Sequence, residues 1–155
     1  MPTPFAEPIL LRPAIHTDEP LIRALIRRNG LNPLGINWQR FTLATRGPDG
    51  PVIGMGQMKV HADGSRELAS IAVVEEARER GIARQIIEHL LAAETGVVWL
   101  TCRPPMRGFY EPFGFIEILD PSGMPRYFGR IARVLKWLRR VGMDRGPAIM
   151  RRDPP

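Results

Sequence analysis

One stretch, Glu67 to Ile87, restricts the folds open to this chain more than any other. It opens with a short apolar run rich in β-branched residues, Leu68 to Val74, which reads as a buried strand. After a charged turn come Ile82, Ile86, Ile87, Leu90 and Leu91, spaced as the inner face of a helix. At the junction stands Arg78-x-x-Gly81-x-Ala83. A strand running through a small-residue turn into a helix start is a natural anion site. The opening N–H groups lack carbonyl partners, the helix dipole is positive there, and glycine lets a phosphate approach.

The remaining segments read as alternating strands and helices. Ile9 to Arg12 is a first strand ended by Pro13. Thr17 or Asp18 caps a helix with Pro20 in its first turn, Leu21, Ile22, Leu25 and Ile26 inward, and Gly30 at its close. Residues 31–39 read as a loop, Arg40 to Arg46 as a strand, and Gly47-Pro48-Asp49-Gly50 as a turn. Val52 to Val60 is the next strand, and residues 61–65 form a hairpin loop back into the central stretch. Gly54-Met55-Gly56 could begin a dinucleotide fingerprint, but the third glycine and the following helix are missing. A strand carrying two glycines is the better reading. Gly96 is expected to stop the central helix, with Val97 to Cys102 as a buried strand after it. Pro104-Pro105 can open a short helix through Phe109-Tyr110, and a further strand ends near Leu119. Residues 127–142 have a helical period, with Ile131, Val134, Leu135, Leu138 and Val141 on one side and Arg133, Lys136 and Arg140 on the other. Ala148 to Arg152 can add a last strand.

Composition narrows the classes. At 155 residues, 44% hydrophobic and 25% charged, the chain suits one soluble globular domain spanning 1–155. No apolar run approaches the roughly 18 residues needed to cross a bilayer. Pro2, Pro4 and Pro8, with no basic segment before them, do not suit a secretory leader. A single cysteine, Cys102, excludes an internal disulfide framework and fits a cytoplasmic location. His16, His61 and His89 lack metal-site spacing and read as ordinary surface or cap histidines, so no metal is expected. The net charge of +6 is concentrated in residues 121–155, where nine basic face two acidic side chains for a net of +7. That tail raises nucleic-acid or membrane-surface binding through the basic helix and Trp137, but a helix packed on its own domain with a wet cationic face is preferred.

Taken together, these features resemble the GNAT superfamily of acetyl-CoA-dependent N-acetyltransferases, over about residues 8 to 118. Ile71-Ala72-Val73 followed by Arg78-x-x-Gly81-x-Ala83 is similar to the family's acyl-CoA signature. Phe109-Tyr110-Glu111-Pro112-Phe113-Gly114-Phe115 is similar to its Tyr-x-x-x-Gly-Phe element. The two stand in the family's order, 29 residues apart from Gly81 to Tyr110. The resemblance implies a mixed α/β fold: a central, mostly antiparallel sheet flanked by helices, with the basic helix and last strand of residues 120–155 added. It also implies acetyl-CoA as cosubstrate. The pantetheine arm would pair with Ile71, Ala72 and Val73, and the pyrophosphate would lie against Arg78, Glu79, Arg80, Gly81, Ile82, Ala83 and Arg84. The competing reading of the arginines is a solvated turn shared with Glu75, Glu76 and Glu79.

The same resemblance gives Tyr110 the role of general acid toward the departing thiolate. The alternative is a core tyrosine with a satisfied hydroxyl. Glu67, fourteen residues before Gly81, is the candidate base, with an exposed strand-end carboxylate as the equal alternative. Cys102 could suggest an acyl-enzyme, but no activating base adjoins it. The family's Asn and Ala positions are Arg103 and Met106 here, which leaves any CoA contact of that Asn without a counterpart. The expected reaction is direct acetyl transfer to a primary amine, on a small molecule or a peptide, in a ternary complex. A homodimer is compatible with this reading. The alternative is a non-catalytic acyl-CoA sensor of the same fold. Between Thr17 and Arg40 only Asp18 and Glu19 face four arginines, which disfavours polyamine acceptors.

Overall fold

The computed structural model describes residues 7–155; Pro2 and Pro4, used above against a secretory leader, lie outside them. In chain order the main elements are β1 (Ile9–Pro13), α1 (Glu19–Arg28), β2 (Phe41–Arg46), β3 (Val52–Val60), β4 (Arg66–Val73), α2 (Ile82–Ala92), β5 (Val98–Cys102), α3 (Arg107–Tyr110), β6 (Ile116–Glu117), α4 (Arg126–Arg140) and β7 (Ala148–Arg152). The seven strands are ordered β1-β2-β3-β4-β5-β7-β6. The β1–β2, β2–β3, β5–β7 and β6–β7 ladders are antiparallel; β4 and β5 run parallel and pair at Arg66↔Val98 and Glu67↔Trp99. Contacts divide the chain into two compact units. The first runs through Met58 and resumes over Leu68–Ala93; the second comprises Lys59–Glu67 and Glu94–Pro155.

In the first unit, strand alternation sends successive side chains to opposite faces of the sheet. Leu43 pairs with Met55 in the β2–β3 ladder, and both join Ile22, Leu25 and Ile26 of α1 in one buried cluster. On the other face the glycines of β3 are packing residues. A Cβ on Gly56 would lie 2.6 Å from Ile71 Cδ1 and 2.7 Å from Ile86 Cγ2, and one on Gly54 would lie 3.0 Å from Ile86 Cδ1. Removing two side chains lets α2 settle directly on β3, burying Ile82, Ile86 and Ile87. Each fully buried isoleucine is worth about 1.5–3 kcal/mol in area terms. The Gly-Met-Gly run is a helix seat.

The second unit packs α4 on one face of β5 and β7. Phe128 is fully buried and stacks on Trp99 at a centroid distance of 5.2 Å, with Ala132 and Ile149 completing the cluster. This corrects the expected inner stripe of the basic helix. Ile131 and Leu135 do pack inward, but Val134 and Val141 are 57% and 51% exposed. The aromatic stack places Phe128 at the interface and turns those two valines outward. Three smaller differences concern ends. β4 starts at Arg66, two residues early, because it pairs with β5 there. α2 ends at Ala92, before Gly96. β6 is two residues long, and Leu119 beyond it is exposed. Leu21, expected inside, lies 39% exposed on the edge of α1.

Candidate active site

The donor-side signature lies wholly in the first unit. Beyond Val73 the chain makes a short turn over Glu75–Ala77 and then uses two left-handed residues, Glu79 (φ 62°) and Gly81 (φ 73°), to enter α2. Gly81 is the N-cap, and the first bond into the helix runs from the Gln85 N–H to the Gly81 carbonyl at 3.0 Å. The N–H groups opening the first turn therefore have no carbonyl of their own helix to meet. Arg78 has a structural task here: Nε donates to the Val73 carbonyl and Nη2 to Asn29 Oδ1, each at 3.2 Å. It fastens the end of β4 to the end of α1. Arg84 pairs with Glu88 one turn on, at 3.6 Å. Arg80 lines a cavity of about 400 Å³ with Glu7, Ile9, Arg46 and Ile82.

Within β4, Ser70 has φ 57°. A left-handed serine inside a strand departs from extended geometry and stores about 1–3 kcal/mol of strain. Gln57 of β3, almost fully buried, holds it by donating Nε2 to Ser70 Oγ at 2.9 Å. The irregular residue immediately precedes Ile71, Ala72 and Val73. Sequence pattern gave no sign of it.

The two proton-handling candidates lie in the second unit. Glu67 is 6% exposed, which removes the reading of an exposed strand-end carboxylate. Its Oε2 is 2.7 Å from His61 Nε2, and Thr101 Oγ1 donates to Oε1 at a long 3.4 Å. His61 is thus no surface histidine. Its ring stacks on Tyr127 at 3.6 Å, and burial, then the nearby Glu67 charge, raise the Tyr127 phenol pKa. The Tyr127 N–H donates to Asp63 Oδ2 at 2.8 Å. Asp63 is drawn down to about 2 by the Ser65 hydroxyl and by the backbone N–H groups of Tyr127 and Ser65. His61 and Glu67 flank the hairpin closed by the His61 N–H to Ser65 carbonyl bond. That six-residue spacing across a hairpin was the available signal, because such ends lie side by side.

Tyr110, the last residue of α3, is half-buried and packs edge-on to Phe109 and Phe115. Burial, with a smaller contribution from Cys102, pushes its phenol up to about 12. No hydrogen bond engages its hydroxyl among the described residues. Cys102 contacts Met150 sulfur at 3.9 Å, and burial raises its thiol. Such a thiol carries little thiolate, as expected of a strand cysteine without an activating base. Alternation along β5 puts Trp99 and Thr101, beside Glu67, on one face, and Cys102, beside Tyr110, on the other. Arg103, at the end of β5, is exposed and joins Arg107, Arg139 and Arg145 around a cavity of about 820 Å³; Arg107 is paired with Glu117 at 2.6 Å.

Residues 37–117, just over half of the chain, match the family model of the acetyltransferase (GNAT) domain. The chain belongs to that family. No curated protein matches it significantly. Among solved structures it is similar to N-acetylglutamate synthase from Neisseria gonorrhoeae complexed with coenzyme A and N-acetyl-glutamate, at 20% identity and a TM-score of 0.70, over 95% of this chain and 35% of that one. The chain thus spans about a third of that protein's length. It is also similar to Rv2747 from Mycobacterium tuberculosis in complex with CoA and NLQ (22% identity, TM-score 0.69, 94% and 99% of the two chains). A third likeness is to diaminobutyrate acetyltransferase EctA from Paenibacillus lautus in complex with its substrate L-2,4-diaminobutyric acid and coenzyme A (14%, 0.62, 96% of each). The fold is the GNAT fold. Among the described residues no helix is long and apolar enough to cross a membrane, and no group of three or more His, Cys, Asp or Glu is arranged to hold a metal.

Proposed function

We propose that this chain is an acetyl-CoA-dependent N-acetyltransferase that acetylates a primary amine by direct transfer in a ternary complex. The observation that carries the reading is the Gly81 entry to α2, where a left-handed glycine opens a helix directly after β4 in a chain of the acetyltransferase family. Its unfilled first-turn amides and positive dipole suit a pyrophosphate. The left-handed Ser70 directly before Ile71, Ala72 and Val73 supports their companion role, since a local departure from strand geometry can turn backbone groups toward an added strand. Arg80, Ile82, Ala83 and Arg84 complete the binding turn, with Arg78 and Glu79 shaping it. Acetyl-CoA supplies a thioester, an acyl group activated toward amines.

The protein then has two protons to manage. An alkyl ammonium, with a pKa of about 10.4 in water, must lose one before the nitrogen can attack. Glu67 takes it, directly or through a water, which suits a carboxylate held in place inside the protein. Tyr110 gives a proton to the leaving sulfur. A phenol with a pKa of about 12 remains fully protonated at neutral pH and can perform that task. Small amino-acid-like amines are the favoured acceptors, because relatives of the same fold are found with N-acetyl-glutamate and L-2,4-diaminobutyric acid.

The test is release of free thiol from acetyl-CoA across a panel of amino acids, diamines and peptide N-termini. Amine-dependent release is the expected result. Tight acetyl-CoA binding with no release above hydrolysis for any amine would favour the non-catalytic sensor.

A further inference from the structure

We infer that His61 is the positioning residue of Glu67, and that the first turn of α4 is built to hold His61 in that task. The inference rests on the reading of Glu67 as the base. It begins from the cost of burying a charge. An ionised carboxylate out of water is expensive unless charge or hydrogen bonds compensate it. Glu67 has two candidate donors, His61 Nε2 at 2.7 Å and Thr101 Oγ1 at 3.4 Å. Only the first is a short bond. With the proton on His61 Nε2, the Glu67 Oε2 is engaged as the acceptor of that bond. Oε1, with its long contact to Thr101, is then the oxygen able to accept another proton. His61 itself passes no proton in this arrangement; it sets which carboxylate oxygen works and where that oxygen points.

The imidazole is held on several sides. Tyr127 stacks on it at 3.6 Å with planes 16° apart, and Phe128 meets it edge-on at 5.7 Å and 87°. Both aromatics are themselves anchored, Tyr127 by its N–H bond to Asp63 and Phe128 by its stack on Trp99. The titratable groups facing His61 are Glu67 from β4, Asp63 from the hairpin and the Tyr127 phenol from α4. Asp63 is occupied by Ser65 and the Tyr127 amide, and the raised phenol stays neutral, so the short hydrogen bond of His61 goes to Glu67. A histidine that merely covered the hairpin would not need this enclosure. The helix beyond the minimal family pattern acquires a catalytic purpose: it clamps the partner of the base.

The test is steady-state kinetics on the full chain with the best amine from the thiol-release panel. His61→Ala is expected to lower kcat about 100-fold by loosening the base, with KM for acetyl-CoA unchanged. His61→Gln keeps an N–H donor at similar reach and is expected to return kcat to within about 5-fold of the parent, the worth of one neutral hydrogen bond. His61→Leu fills the space without donating and stands in if alanine leaves the chain unfolded. An unchanged kcat in the non-donating variants would overturn the inference. So would equal losses in His61→Gln and His61→Leu, since that pattern reports packing alone. Glu67→Gln, measured in parallel, separates the two readings. Full turnover there removes the base and with it the role of His61. Lost turnover there beside normal His61 variants removes only the positioning role.

Discussion

The proposed donor turn in the first unit and the proposed proton-handling groups in the second are built from different materials. Around Gly81 the groups proposed to bind the donor are backbone amides, and side chains serve mainly to shape the loop: Arg78 ties two element ends together, and Glu79 accepts a left-handed conformation. Around Glu67 the groups proposed to handle the proton are side chains drawn from the β3–β4 hairpin, β5 and α4, in contact with one another. A site made of backbone tolerates most substitutions that keep its φ and ψ. A site made of side chains loses function when one functional group is removed, even if the fold is untouched.

That contrast sets the expected sizes of perturbations. Tyr110→Phe removes one oxygen and should lower kcat about 10²–10⁴-fold, the usual range for a lost general acid, without altering the fold. The pH profile supplies a companion check. A folded-state pKa raised to about 12 keeps the phenol protonated throughout the neutral and mildly alkaline range, so Tyr110 should impose no alkaline loss of kcat up to pH 10. An alkaline limb that disappears in Tyr110→Phe would contradict this. In the first unit, Gly56→Ala should destabilise by about 1–3 kcal/mol in denaturant melts, because its Cβ would press on Ile71 and Ile86. Glu94→Ala breaks a two-bond pair with Arg66 and leaves the half-exposed arginine unpartnered there; about 1–2 kcal/mol is expected. Smallest is Glu79→Gly. Relief of the left-handed glutamate, offset by a more flexible unfolded chain, should raise stability by at most about 1 kcal/mol, with donor affinity retained.

What could be read in advance follows the same divide. The order of strands and helices and the Gly81 turn were legible because they rest on local patterns: apolar period, glycine position and turn chemistry. The glycines of β3 read locally as strand residues, but their role as the seat of α2 depends on Ile71 and Ile86, which stand 15 and 30 positions beyond Gly56. The period of the basic helix is local, but its inner face is not, because the stack of Phe128 on Trp99 joins residues 29 apart. His61 is a similar case. Its worth comes from Glu67 on the returning strand and Tyr127 on α4, and no local window contains all three. The left-handed Ser70 is a departure from strand geometry in an ordinary strand sequence, held from β3 by Gln57.

In the proposed division of labour, donor binding belongs to the turn at Gly81 and proton handling to Glu67 and Tyr110. Calorimetric titration of acetyl-CoA into the parent chain, Gly81→Val and Glu67→Gln tests it directly. Gly81→Val forces a β-branched residue into φ 73° and is expected to weaken binding at least about 10-fold, whereas Glu67→Gln should bind like the parent. Equal weakening in both variants, or unchanged binding in Gly81→Val, would contradict that division.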